Sequence, residues 1–277
     1  MNRFKQLLQS AAQGGAKPVG TWLMSASPIV AEAVGLAGFD WAVVDMEHSP
    51  LDTGSLLHML QAVAGTPMVP VVRVPWNDMV TIKRVLDAGA QTLLVPFVQD
   101  ADQARLAVAH MRYPPQGVRG MAGMSRGSRF GTTADYFATA NEGLCTIVQL
   151  ETPAALDQLE AIAGVDGIDA LFIGPADLSG AMGHVGQLGH PEVMAVIARA
   201  VQRCHALGKP VGIVGGTAEV VAQYRAMGFD YLAVASDLGL LMRGAQAASA
   251  ALRAQEAGAA PAKAAAVPAP AGPSSGY

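Results

Sequence analysis

Eight short runs rich in Val, Ile, Leu and aromatic residues recur along the chain, at 18–24, 41–47, 68–74, 92–98, 145–151, 170–175, 210–215 and 231–236. Between them lie amphipathic stretches near 28–37, 54–64, 78–88, 101–112, 152–163, 191–207 and 217–227, with a last one near 238–254. Strand-length runs alternating with helix-length stretches are the pattern of βα units and a parallel sheet. Gly38, Gly89, Gly208 and Gly228 each stand just ahead of a run, where a left-handed helix cap favours a residue without Cβ.

Faint repeats run through the pattern. KPVGTWL at 17–23 echoes KPVGIVG at 209–215, and AGFDWAVVD at 37–45 echoes MGFDYLAVAS at 227–236. A repeat of this kind continued to a count of eight favours closure into a (β/α)8 TIM barrel over an open doubly wound sheet. No G-x-G-x-x-G follows the first run, which removes the dinucleotide-binding fingerprint. The length of 277 residues, with 51% hydrophobic and 14% charged, suits one α/β domain over residues 1–255. The stretch 256–277, rich in Ala and Pro, reads as a flexible, disordered tail.

A net charge of −4 supplies no basic footprint for nucleic acid or for an acidic membrane surface. The N-terminus lacks an apolar signal region, and no stretch approaches the roughly 18 to 20 apolar residues of a membrane helix. A cytoplasmic protein is expected. Cys145 and Cys204 are too few for a disulfide framework or a zinc knuckle and read as packing residues.

Two segments interrupt the rhythm. Residues 113–132 carry Arg119, Arg126 and Arg129, and read either as a phosphate-seeking loop or as a solvated or subunit-contacting surface. Residues 178–190 follow the sixth run, which in a barrel places them on the catalytic face as a candidate lid.

Barrel strands need apolar residues, so charged groups at their carboxyl ends call for a functional reason. The second run ends Asp45-Met46-Glu47-His48, the third reaches Arg73, the fifth ends Gln149-Leu150-Glu151, and the sixth leads into Pro175-Ala176-Asp177. All converge on one rim. Adjacent strands lie about 4.8 Å apart, so Glu151 and Asp177 can grip one ion between them. Two hard oxygen ligands suit Mg²⁺ or Mn²⁺ rather than zinc. A 2-oxo acid chelates such an ion through its carboxylate and keto oxygens, and the ion polarises the carbonyl. His48 titrates in the range of a general base, with Asp45 and Asp87 as the two carboxylates available to orient it. Arg73 supplies a permanent cation for a developing enolate. No lysine occupies a strand interior, which disfavours imine chemistry.

The runs DMEH at 45–48, VVRVP at 71–75, YPPQGVRG at 113–120, QLET at 149–152, GPADLS at 174–179 and HPEV at 190–193 together resemble the HpcH/HpaI aldolase family over roughly residues 3–254. The resemblance implies a class II pyruvate aldolase dependent on Mg²⁺, Mn²⁺ or Co²⁺. Its substrate would be 4-hydroxy-2-oxoheptanedioate, met in aromatic catabolism, or a related sugar acid. It also implies a hexamer, a trimer of dimers, with the last helix exchanged between subunits. It assigns Glu151 and Asp177 to the metal, His48 and Asp87 to a catalytic dyad, and Arg73 to the pyruvyl oxygen. Gln149, Ala176, Asp177, Trp22 and Val214 fall to the substrate, and Asp45 and Glu47 to metal-bound waters. The alternatives are a CoA-ester lyase of the malyl-CoA or citramalyl-CoA type and a non-catalytic barrel that binds 2-oxo acids.

Overall fold

A computed structural model describes residues 2–256. Eight strands close into a barrel in chain order: β1 (Val19–Leu23), β2 (Trp41–Asp45), β3 (Val69–Arg73), β4 (Thr92–Val95), β5 (Cys145–Leu150), β6 (Ala170–Ile173), β7 (Val211–Gly215) and β8 (Tyr231–Ser236). Every neighbouring pair is parallel. The strands are shorter than the runs that announce them, mostly at the carboxyl end. Residues 46–47, 96–98, 151 and 174–175 lie past the strand ends, although the Met46, Val98 and Gly174 amides still bond the Arg73, Gln149 and Leu150 carbonyls of neighbouring strands.

Helices Pro28–Gly35, Thr53–Ala64, Met79–Asp87, Ala101–Met111, Pro191–Ala206 and Ala218–Met227 return the chain between strands. The expected helix at 152–163 is two short ones, Pro153–Asp157 and Leu159–Ala163, parted at Gln158. The candidate lid is not an open loop, because helix Pro175–Ala181 takes its first part. Helix Arg3–Ala12 precedes β1 and was not foreseen. Asn2 caps it by accepting from the Phe4 and Lys5 amides, and it buries Phe4 and Leu8.

Alternation along each strand sorts the apolar residues into two layers. Ala42, Val44, Val72, Leu93 and Leu171 face outward into the shell beneath the helices. Trp41, Val43, Val71, Ile147, Phe172 and Tyr231 fill the interior together with Phe4 and Leu8. At the amino end Phe4 meets Trp41 and Tyr231 edge-on, with ring centroids 5.5 and 5.4 Å apart. A Cβ at Gly20 would sit 2.4 Å from the Trp41 ring, and one at Gly212 would sit 2.2 Å from Tyr231. Glycine at these two positions makes room for the aromatic floor.

The chain divides into two units, Met1–Asp237, which holds the barrel, and Leu238–Tyr277. Helix Asp237–Glu256 supplies the described part of the second unit. The expected tail lies, from residue 257 on, outside the described residues. No helix among the described residues is long and apolar enough to cross a membrane.

Candidate active site

The inward parity that places Val43, Val71, Ile147 and Phe172 in the interior also carries Asp45, Arg73, Gln149 and Gly174, one step nearer the carboxyl rim. Asp45 and Arg73 stand opposite each other in the β2–β3 register. Arg73 donates from Nε to Asp45 Oδ1 at 2.8 Å and from Nη2 to Oδ2 at 2.7 Å. Both side chains are buried, so each charge is compensated by the other. Arg73 Nη1 also lies 2.7 Å from Glu47 Oε2, and its guanidinium is 5.5 Å from the Trp22 ring centroid. Two of its five N–H groups donate to Asp45, and its contact with Glu47 is an ion pair rather than an aligned hydrogen bond, which leaves N–H groups for a ligand.

Glu151, just beyond β5, is 2% exposed. Its Oε1 accepts the Phe97 amide at 2.8 Å, and its Oε2 accepts from Gln149 Nε2. Burial pushes its carboxyl up to about 7 against those hydrogen bonds, and the negative charges of Asp177 and Glu47 push the same way. Glu47 is raised too, by burial first, with Arg73 opposing. A Cβ at Gly174 would lie 2.5 Å from Glu151 Oε2, so this carboxylate needs glycine across from it. Ala176 and Asp177 open helix Pro175–Ala181, where first-turn amides have no partner within the helix.

These residues fit a divalent cation. Burial and the neighbouring charges of Asp177 and Glu47 oppose ionisation of Glu151, Asp177 itself is exposed, and Gln149 Oε1 is buried with no partner. A cation offsets the cost at Glu151, and a water it carries satisfies Gln149. A different cluster, His184, His190 and Glu192, brings three ligand atoms within 4.8 Å of one another. Its imidazoles stack at 3.6 Å and 16°, and rings so nearly parallel share no in-plane point at which both could face one ion. His184 instead bonds Glu192 at 3.0 Å, and His190 Nδ1 accepts the Glu192 amide at 3.3 Å. The cluster fastens residues 184–190 to the start of helix Pro191–Ala206.

His48 is at the rim with its side chain 61% exposed, and its Nε2 is 3.8 Å from Glu47 Oε2. Neither carboxylate expected to orient its ring does so within this chain. Asp45 is engaged with Arg73 and meets only the His48 amide, at 3.5 Å. Asp87 ends helix Met79–Asp87, which runs back from the carboxyl end of β3, so it lies at the opposite end of the barrel and pairs with buried Arg119 at 2.7 Å. Glu47, expected beside metal-bound waters, faces Arg73 directly. Trp22 is buried against Phe172, and half-buried Val214 packs in the same interior cluster.

Two of the three arginines of the basic loop are engaged by the protein itself. Arg119 lies over the Tyr113 ring at 4.3 Å, and Arg126 donates to the Ala88 carbonyl at 3.0 Å. Cavities of about 450 and 730 Å³ open at this amino end, lined by Asn2, Gln91, Gly127 and Arg129 among others. They contain none of the converging rim carboxylates. Sequence reasoning missed Phe97, which contributes through its backbone with a positive φ of 55°; nothing in a Phe codes for that conformation.

A family profile described as HpcH/HpaI aldolase/citrate lyase matches residues 19–244. The 2-dehydro-3,6-dideoxy-6-sulfogluconate aldolase of Pseudomonas putida is 50% identical over 240 residues, covering 87% of this chain and 94% of that protein. The 4-hydroxy-2-oxo-heptane-1,7-dioate aldolase of Klebsiella pneumoniae is 47% identical over 250 residues, covering 90% and 93%. Among solved structures, an HpcH/HpaI aldolase/citrate lyase family protein from Burkholderia cenocepacia superposes with a TM-score of 0.87 at 40% identity, covering 91% of this chain and all of that one. Aldolase relatives this similar, matched across nearly their whole length, make the chain a carbon–carbon lyase. With barrel, rim and relatives in agreement, the chain belongs to the HpcH/HpaI aldolase/citrate lyase family.

Proposed function

We propose that the chain reversibly cleaves a 4-hydroxy-2-oxo acid, either 4-hydroxy-2-oxoheptanedioate or a related 2-keto-3-deoxy sugar acid, into pyruvate and an aldehyde. The observation that carries this reading is the pairing, on one rim, of a buried carboxylate pocket around Glu151 with an Arg73 guanidinium that keeps N–H groups to spare. Relatives at 50% and 47% identity are named for aldol cleavage of such acids.

Glu151 and Asp177 would hold the divalent ion, Mg²⁺, Mn²⁺ or Co²⁺. Once bound, such an ion supplies Lewis-acid polarisation of a keto group. Arg73 binds the pyruvyl oxygen with its remaining N–H groups and stabilises negative charge there as the C3–C4 bond breaks. His48 takes the proton of the 4-hydroxyl, and the electrons of that O–H bond form the aldehyde carbonyl. The C3–C4 pair is left as the pyruvate enolate, which is protonated at C3. Ala176 and Asp177 amides and Gln149 orient the carboxylate end, Asp45 and Glu47 hold Arg73 in place, and Trp22 and Val214 shape the acceptor pocket.

Asp87 can serve His48 only from a neighbouring copy, as the hexamer proposed for this chain allows. Leu241, Met242 and Leu252 on the last helix are exposed, consistent with an assembly built through that helix. The cytosol suits two buried, unpaired cysteines. The CoA-ester reading gains nothing, since Arg119 and Arg126 are committed to Asp87 and Ala88 at the other end.

Pyruvate release from 4-hydroxy-2-oxo acids is expected to stop with EDTA and return with Mg²⁺, Mn²⁺ or Co²⁺. Cleavage indifferent to chelation refutes the metal assignment, and a screen of aldehyde acceptors with pyruvate identifies the preferred substrate.

A further inference from the structure

Phe97 holds a backbone conformation that its side chain does nothing to explain. Its φ is +55°, a region where the Cβ of an L-residue is crowded. The residue is 40% exposed, and its ring stacks on exposed Trp76 with centroids 6.0 Å apart. The conformation nevertheless has a consequence: the Phe97 N–H points at Glu151 Oε1, 2.8 Å away.

Gln99 closes the turn from the other side. Its Nε2 donates to the Phe97 carbonyl at 3.3 Å, and its Oε1 accepts from the Thr152 hydroxyl at 2.6 Å. Thr152 is the residue after Glu151 and caps the next helix by accepting the Ala155 amide at 3.1 Å. The Gln99 amide in turn donates to Gln103 Oε1 at 3.0 Å, and Gln103 is tied to Asp100 at the start of helix Ala101–Met111. A closed circuit results: Glu151 to the Phe97 N–H, across that residue to its carbonyl, to the Gln99 side chain, to Thr152, and back to Glu151 through one peptide bond.

We infer that Gln99 is a positioning residue, which holds the Phe97 peptide in its left-handed turn so that the amide fixes the Glu151 carboxylate for its cation. A residue that orients a ligand in this way acts on metal affinity rather than on the chemical step. The inference rests on the reading of Glu151 as a metal ligand.

Mn²⁺ titration of the chelator-stripped full chain, followed by the paramagnetic resonance of free Mn²⁺, tests both and separates them. Glu151→Gln comes first: if it binds Mn²⁺ as the wild type does, the ligand reading itself fails. With that control lost as expected, Gln99→Leu should weaken Mn²⁺ binding by about tenfold. Gln99 is only partly buried, so leucine there leaves the core intact. Glycine adopts positive φ without support, so Phe97→Gly placed on Gln99→Leu should restore most of the lost affinity. A general loosening of the loop predicts no such rescue. Wild-type affinity in Gln99→Leu, or a double variant as weak as Gln99→Leu alone, overturns the inference.

Discussion

Burial and hydrogen bonding pull the Glu151 carboxyl in opposite directions, and burial wins. Its pKa rises from about 4.5 to about 7, so the folded protein favours the protonated acid more than the unfolded chain does. The stabilisation this gives the metal-free protein is complete below pH 4.5 and disappears as pH climbs through 7, a difference of about 3 kcal/mol at full ionisation. Glu151→Gln should therefore stabilise metal-free protein at pH 8 by up to that amount and leave it nearly unchanged at pH 4.5. Urea unfolding at the two pH values measures the difference, and an equal effect at both excludes Glu151 as its source. The stability gained by the amide is paired with loss of cation binding. His48 presents the opposite case, an exposed side chain whose nearest carboxylate is 3.8 Å away. Little structure depends on its ring. His48→Ala should lower turnover by roughly 10² to 10⁴ with Mn²⁺ affinity unchanged, and full turnover in that variant removes His48 from the mechanism.

Strands, helices and their ends explain which parts of this molecule could be read in advance. All eight strands were legible because strands buried on both faces read as short, near-continuous apolar runs rich in β-branched residues. The rim residues were legible for the same reason: Asp45, Arg73, Gln149 and Glu151 are polar where the pattern calls for apolar. Helix Arg3–Ala12 was legible too, since Phe4, Leu7, Leu8 and Ala11 fall at i, i+3, i+4 and i+7, but it precedes the first strand and so lies outside the strand–helix alternation. Phe97 and Gln99 were hidden because their contributions are a backbone angle and a side-chain bridge, neither of which residue identity encodes. The distant pairing of Asp87 was obscured by its place at a helix end, whose side of the barrel follows only from the topology. The missed helix carries weight in the fold. Phe4 is fully buried between Trp41 and Tyr231, so Phe4→Ala should cost about 3 to 5 kcal/mol of stability, read as a lower denaturation midpoint. Because it lies at the amino end, kcat at a permissive temperature should be retained; a proportionate fall in kcat means the two ends are coupled.

At the scale of the whole molecule the two ends of the barrel divide the work, and Asp87, proposed as the partner of His48, stands at the wrong one for a single chain. It is fixed there by Arg119, whose guanidinium is itself held over Tyr113, so no small rearrangement carries it to His48. An assembly that sets the amino end of one barrel against the carboxyl rim of another removes the contradiction. Complementation then becomes possible between two defective chains. His48→Ala and Asp87→Asn homo-oligomers should each be slow. Unfolded together, refolded as a mixture and assayed for pyruvate release, they form some sites that take His48 from one variant and Asp87 from the other. Random mixing at equal amounts makes about a quarter of the sites intact, so the mixture should run well above the mean of its parents. Activity equal to that mean shows that no site draws on two chains, and His48 then works without Asp87.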